Sequence, residues 1–307
     1  VEPFLTDLGW TDLSDADRER QYSPSSCLPD GDYRPFVAAY RDRSDAAWAT
    51  VEGRPDVETA IVRYGDHESH SIDVVVPSPT GGATPPMLAF IHGGYWQELS
   101  KHDSRFAAAA CADLGWAFAA VDYTLAPHAS LDEIVIECRD AIARLGIEAD
   151  GLGFDADRVV VAGSSAGAHL VAMLASDPAV GVAGTVLISG VFDLAPLVGT
   201  SINDAVGLDV DDALRNSPIH RTVESFPPTV LAYGSIETEQ FKAQTAAFAR
   251  HLEQAGVPIE QVEVAGRNHF DVVFDLAAPE TVLGGAVASL IDSTNRTTGA
   301  GSAEPDG

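Results

Sequence analysis

The residues "RVVVAGSSAGAHLVAMLAS", Arg158 to Ser176, begin as an apolar β-branched run and end in a helix-like pattern. Between the two halves sit Gly163, Ser164, Ser165, Ala166 and Gly167. A strand, a G-x-S-x-G and a helix in that order form the setting of a nucleophile elbow. The turn is so tight that its middle residue takes a strained conformation and stands above the sheet. The positions two before and two after it must be small, because the strand and helix backbones crowd there. Gly163 and Gly167 meet that need, so the motif's serine is Ser165 and Ser164 is the variable position. A helix starting at Ala166 aims its N–H groups and its positive dipole end at the same hydroxyl. A bare match to so short a motif arises by chance in a Gly- and Ser-rich chain. Its place at a strand–helix junction removes most of that risk. The competing reading is a glycine-rich phosphate loop, but the Walker lysine and the G-x-G-x-x-G spacing are both missing.

Working outward, strand-like and helix-like segments alternate from about Ala60. The strand candidates are "ETAIVRYG", "HSIDVVVPS", "MLAFIHGG", "WAFAAVDY", "RVVVAGSS", "GTVLISG", "TVLAYGS" and "IEQVEVAG". The central ones are continuous apolar runs, as in strands covered on both faces. Helical patterns lie between them: "HDSRFAAAACADLG", "SLDEIVIECRDAIARLG", "AGAHLVAMLAS", "TEQFKAQTAAFARHLEQAG" and "PETVLGGAVASLIDS". Patterns that close on glycine carry a C-cap signal. Such alternation predicts an α/β fold, with a mostly parallel eight-stranded sheet flanked by helices. No helix separates the first two candidates, so they are expected to pair antiparallel at one edge.

One domain is expected over residues 1–292. Residues 1–57 read as short helices and turns. Residues 191–227 form a long polar insertion after the sixth strand, and such loops are often lids or binding loops. Together they are expected to make a small cap over Ser165 and to set substrate choice. The Gly/Ser/Thr-rich tail, residues 293–307, is expected to be disordered.

Composition narrows the partners. The formal net charge is −28, with 46 acidic residues and two lysines, Lys101 and Lys242. Such a surface repels phosphate backbones and anionic lipid, so neither nucleic acid nor membrane is an expected partner. A small-molecule substrate is, and homodimer formation stays open. The charge reads either as an ordinary solvated acidic face or as adaptation to high salt, which screens self-repulsion. Cys27, Cys111 and Cys138 are an odd number without C-x-x-C spacing. They predict neither a disulfide framework nor a zinc site, and free thiols suit a cytoplasmic setting. No signal peptide or apolar span stands out. No H-E-x-x-H or paired-ligand spacing is present, so neither metal nor cofactor is predicted.

An oxyanion hole at the elbow needs donors from a second loop, which in this architecture follows the third strand. "MLAFIHGGYWQ" supplies it, and His92, Gly93 and Gly94 let backbone approach a reacting carbonyl. The expected donors are the N–H groups of Gly93, Gly94 and Ala166, each worth roughly 3 kcal/mol in a transition state. His92 is read as a hydrogen-bonder that shapes this loop beside the pocket. Tyr95 and Trp96 are expected to floor an acyl or aryl pocket. The base is expected after the last strand, where "VEVAGRNHFDVVF" places His269, with His220 as the second candidate. The orienting acid is expected after the seventh strand, giving the order Ser…Asp/Glu…His. Glu237 is preferred over Glu239, which already lies in a helical pattern. Asp193, after the sixth strand, is the rival.

The segments "HGGYWQ", "SKHDSRF", "AGSSAGAHL", "SGVFDLAPL", "SIETEQFKAQT" and "RNHFDVV" together resemble the α/β-hydrolase-type kynurenine formamidases (arylformamidases). "RQYSPSS" and "SIDVVVP" are similar too, and the resemblance runs from about residue 18 to 290. HGG with G-x-S-x-G alone would indicate only the wider esterase group related to hormone-sensitive lipase. The resemblance implies the α/β-hydrolase fold, a triad of Ser165, Glu237 and His269, and an oxyanion loop at His92 to Tyr95. It departs from the animal enzymes in having Glu rather than Asp as the acid. The implied reaction is hydrolysis of N-formyl-L-kynurenine to L-kynurenine and formate, a step of tryptophan breakdown. The alternative is a related carboxylesterase or amidase acting on another small aryl ester, formamide or carbamate. The head group of formylkynurenine needs a donor for its carboxylate, and the candidates are Arg34, Arg41, Arg43, Ser201, Asn203 and Arg215.

Overall fold

The structure, a computed structural model, describes residues 8–295. Its order is α1 (Asp15–Gln21), α2 (Arg34–Glu52), β1 (Val57–Arg63), β2 (Ser71–Pro77), β3 (Met87–Ile91), α3 (Ala108–Asp113), β4 (Ala117–Val121) and α4 (Leu131–Leu152). There follow β5 (Val159–Ser164), α5 (Ala166–Ala175), β6 (Gly184–Ile188), α6 (Asn203–Val206) and α7 (Val210–Arg215). β7 (Thr229–Ile236), α8 (Glu239–Gln254), β8 (Ile259–Asn268) and α9 (Val282–Ser293) complete it.

All eight strands fall where the apolar runs place them, in one sheet ordered β1-β2-β4-β3-β5-β6-β7-β8. β2 is antiparallel to β1 and to β4, and every other neighbour pair is parallel. Side chains alternate across the sheet, as the strand period of two requires. Met87, Ala89 and Ile91 join Val159 and Val161 in the core on one face. Leu88 and Phe90 join Val160 and Ala162 in the core on the other. Burial on both faces explains why the central strands are uninterrupted apolar runs.

The expected helix boundaries need two corrections. The pattern that closes on Gly146 runs on to Leu152, because Leu145 and Ala149 keep the buried stripe in register. The C-cap is Gly153 at φ 84°. The pattern from His102 to Gly115 breaks into two 3-10 turns, Lys101–Asp103 and Arg105–Ala107, before α3. The cause is ionic. Buried Asp73 on β2 accepts from Lys101 Nζ at 2.9 Å and from Arg105 Nε at 2.6 Å. That pins two nearby side chains to one carboxylate.

The segments expected to form a cap divide their duties. Tyr40, Ala47 and Val51 of α2 pack into the core on one sheet face, and residues 22–25, with Val37 and Tyr40 of α2, border the cavity above Ser165. The insertion is better packed than its polar reading predicts. Phe192, Leu194, Leu208, Ile219 and Phe226 are all in the core, and Ser201 and Ile202 reach the cavity. The expected tail, residues 293–307, lies outside the described residues from 296 onward, and Ser293 closes α9. Cys111 and Cys138 are buried free thiols, and Cys27 is half-buried. Among the described residues, no helix is long and apolar enough to cross a membrane. No group of three or more His, Cys, Asp or Glu among them is placed to hold a metal ion.

Candidate active site

β5 ends on Ser164 and α5 starts on Ala166, so Ser165 alone makes the turn. Its φ of 57° and ψ of −120° lie outside the regions an L-residue favours. Its N–H donates to Ile188 O at 2.8 Å and ties the turn to β6. Both glycines of the motif are obligatory. A Cβ at Gly163 would strike the backbone of Gly167, and one at Gly167 would sit 2.6 Å from His92 O.

The loop after β3 packs directly on this turn. A Cβ on Gly93 would lie 2.7 Å from Ser164 O and 3.2 Å from Ser165 Cβ. Left-handed backbone at Gly94, Tyr95 and Trp96 (φ 88°, 48° and 62°) coils the loop tightly. Gly94 O accepts from Gln97 N at 2.9 Å and Glu98 N at 3.0 Å. Among the described residues, the N–H groups of Gly93 and Gly94 make no hydrogen bond. The Ala166 N–H opens α5, whose first-turn donors have no intrahelical partner.

His92 is 1% exposed and stacks on Tyr123 with ring centroids 4.2 Å apart. Its Nδ1 donates to Gly93 O at 3.0 Å. Its Nε2 stands 3.4 Å from Asp122 Oδ1 but is too poorly aligned for a hydrogen bond. Tyr123 Oη donates to His92 O and Gly93 O, at 3.1 and 3.2 Å, so ring and hydroxyl brace the loop together. Tyr95 lines the cavity, and its Oη donates to Tyr22 O at 2.5 Å. Trp96 does not line it, contrary to the sequence-based expectation. It is fully buried, edge-on to His169 at 5.1 Å. The two rings stay in contact, centroids 6.0 Å apart, with Tyr95 at the cavity and the bulkier indole behind it in the core.

Glu237 follows β7 and His269 follows β8, and these strands are neighbours. Glu237 Oε2 meets His269 Nδ1 at 2.9 Å. Its Oε1 accepts from Ser189 Oγ and from Gly234 N, each at 2.6 Å. The Glu237 side chain is fully buried, and these donors offset the cost of removing a carboxylate from water. A carboxylate only accepts, so Nδ1 of His269 carries the proton and Nε2 keeps a lone pair. Phe241 and Phe270 enclose the imidazole, with centroids at 4.5 and 5.5 Å.

The rival acids and bases are engaged elsewhere. Asp193 Oδ1 accepts from Ala195 N at 3.0 Å inside the insertion, and burial pushes its carboxyl above the usual range. Glu239 pairs with Lys242 at 3.2 Å on the surface. His220 is exposed and does not line the cavity. His169 is fully buried against Asn216 O at 2.7 Å, and burial lowers its pKa to about 4. Ser189, Gly234 and Tyr123 escaped sequence reasoning because no motif marks them. They meet the site only across neighbouring strands and loops.

Ser165 and His269 share a cavity of about 360 Å³. Tyr33, Phe90, Phe106 and Phe270 give it an aromatic lining, and Glu98 and Asp103 are its acidic residues. No lysine or arginine among the described residues lines it. Of the six head-group candidates, only Ser201 does, and its N–H and hydroxyl both bind Glu19.

A strained serine at a strand–helix turn, sharing a cavity with the histidine of a buried His–Glu pair on a mostly parallel sheet, is the arrangement of a serine hydrolase. The chain belongs to the alpha/beta hydrolase fold family, which matches residues 88–272. It is 29% identical to the kynurenine formamidase of Danio rerio over 282 residues, 87% of this chain and 93% of that one. The kynurenine formamidase of Drosophila melanogaster is 24% identical over 249 residues, 72% of this chain and 77% of its own. An inhibited esterase B from Lactobacillus rhamnosis shares the fold with a TM-score of 0.69 at 20% identity. That alignment covers 85% of this chain and 94% of that one. This protein is a serine hydrolase of the formamidase or esterase kind.

Proposed function

We propose that Ser165, His269 and Glu237 act as a catalytic triad that hydrolyses the aryl formamide of N-formyl-L-kynurenine. The observation that carries the chemistry is the buried Glu237–His269 pair, whose histidine shares with Ser165 an aromatic cavity of about 360 Å³. The likeness to the kynurenine formamidases over 87% of the chain supports the substrate.

His269 Nε2 takes the Ser165 proton as Oγ attacks the formyl carbon. The negative charge on oxygen falls to the N–H groups of Gly93, Gly94 and Ala166. His269 then protonates the departing aryl nitrogen, the C–N bond breaks and kynurenine leaves. Water, deprotonated by His269, attacks the formyl ester, and formate departs as Ser165 regains its proton. The formyl group has no side chain, so the acyl side of the site needs little room. The aryl leaving group fits an aromatic lining.

The same machine suits small aryl esters, and one comparison decides between them. The reading expects kcat/KM for N-formyl-L-kynurenine to exceed that for p-nitrophenyl acetate and formanilide. Efficient ester cleavage with no turnover of formylkynurenine would replace it with the carboxylesterase reading.

A further inference from the structure

The reactive cavity opens into a second hollow between α2 and the loop after β3. The two share Tyr33, Val37, Glu98, Leu99 and Asp103. The second hollow adds two cations that the first lacks, Arg34 and Arg41. Val37 and Arg41 lie four residues apart on α2, so one helix face runs from the aromatic lining to the guanidinium.

The two arginines are not equivalent. Arg34 is 83% exposed and gives Nε and Nη2 to Asp32, at 2.7 and 3.0 Å. Its fork is occupied. Arg41 gives only Nε, to Asp103 Oδ1 at 2.8 Å. Asp103 is itself nearly buried and held by Ser100 Oγ at 2.9 Å. A guanidinium fixed through Nε by a rigid carboxylate keeps both Nη groups free, in the fork geometry that matches a second carboxylate. The four other candidates are engaged elsewhere. Arg43 lies over the Phe274 ring at 4.0 Å. Arg215 is tied to Asp132 at 2.7 Å, and Asn203 to Leu208 at 2.8 Å. Ser201 is bound to Glu19. Glu98 sits at the seam, exposed, and among the described residues its carboxylate is met by Tyr33 Oη alone, at 3.4 Å.

We infer that this seam is a receptor for a zwitterionic α-amino-acid head, with Arg41 taking the carboxylate and Glu98 the ammonium. It rests on the formamidase reading and deepens it, because formylkynurenine carries that head. Arg41 belongs to α2 and Glu98 to the loop after β3, and both line the second hollow, so the aryl ring of such a ligand is left to the aromatic lining of the adjoining cavity. A molecule with a carboxylate alone meets Glu98 as well as Arg41, and one with an ammonium alone meets Glu98 but leaves the Arg41 fork unfilled. Both are disfavoured relative to the zwitterion.

The test is inhibition of p-nitrophenyl acetate hydrolysis by L-kynurenine and by 2-aminoacetophenone, which has the same ring without the head. The wild type should bind L-kynurenine about 10-fold tighter or more, the range for charge-assisted hydrogen bonds. In Arg41→Ala and Glu98→Gln the two inhibition constants should converge to within about twofold. Arg41→Lys keeps the charge opposite Asp103 but loses the fork, so it should recover only part of the advantage. It also serves if Arg41→Ala proves unstable. Equal binding of both compounds by the wild type, or an unchanged preference in Arg41→Lys and Glu98→Gln, overturns the inference. Because the readout is inhibition, it holds whether or not the formamide is turned over. Failure of formylkynurenine hydrolysis would count against the formamidase reading alone.

Discussion

Replacing Ser189 by glycine and by alanine separates a hydrogen bond from a backbone strain at one position. Ser189 is fully buried after β6 and has a φ of 51°, which glycine adopts freely and alanine does not. Either change removes the hydroxyl that donates to Glu237 Oε1 at 2.6 Å. Hydrogen bonds to charged groups contribute about 1.5–3 kcal/mol. The carboxylate keeps Gly234 N and His269, so it is loosened rather than orphaned. If that energy holds Glu237 against the imidazolium of the transition state, its loss lowers kcat by about 10- to 100-fold and leaves KM nearly unchanged. Both variants should lose kcat alike, while Ser189→Gly melts above Ser189→Ala by the strain difference of about 1 kcal/mol. The assay is kcat and KM on p-nitrophenyl acetate, alongside the thermal midpoint of each variant. A Ser189→Gly enzyme turning over at the wild-type rate would refute the reasoning, since the hydroxyl would then serve only the fold.

Ser165→Ala should lower kcat by roughly 10⁴-fold or more with an unchanged circular dichroism spectrum; a loss seen only in Ser164→Ala would place the elbow one residue earlier. Glu237→Gln should reduce kcat strongly and Asp193→Asn by no more than a few fold, because only Glu237 meets His269. Buried His169 should make the fold acid-sensitive. Its folded pKa of about 4 lies below the unfolded value near 6.5, so the unfolded chain binds more protons between them. Its contribution is complete above about pH 6.5 and falls by up to roughly 3 kcal/mol as the pH drops to 4, and urea titrations of His169→Gln should lack that share. With a net charge of −28, the thermal midpoint should rise as potassium chloride is raised from low to molar concentration. A flat response would leave the acidic surface as ordinary solvation. Dialysis against EDTA should leave hydrolysis unchanged, since the proposed triad of Ser165, His269 and Glu237 needs no metal; a loss restored by zinc would contradict the serine mechanism.

What the sequence disclosed follows from how local each cause is. The elbow was legible because its signature fits within five residues, although only Gly163 is demanded there, by the Gly167 backbone; Gly167 answers to Ile91 O and His92 O at the end of β3. The sheet was legible because burial on both faces writes itself as apolar runs. Glu237 and His269 were legible through chain order, since each follows a strand end. Trp96 was misplaced because the direction each ring takes from a left-handed loop is a property of dihedrals, not of composition. Ser189 was hidden for a different reason. It lies 48 residues from the carboxylate it serves, and only the β6–β7 pairing brings the two together.

The arginines show where residue type stops carrying information. In a chain with 46 acidic residues and 18 basic ones, a partner carboxylate is available to nearly any guanidinium. Pairing therefore cannot distinguish a surface arginine from one that reads a substrate. What distinguishes Arg41 is which nitrogen is used. Arg34 and Arg215 present Nε and Nη2 together to one carboxylate, Asp32 and Asp132 respectively, and so offer no free fork. Arg41 is held by Nε alone, from a carboxylate that belongs to the wall of the reactive cavity. An acidic surface thus narrows the choice rather than blurring it. Arg41, about half exposed, keeps its Nη groups free for a ligand in the hollow beside that wall.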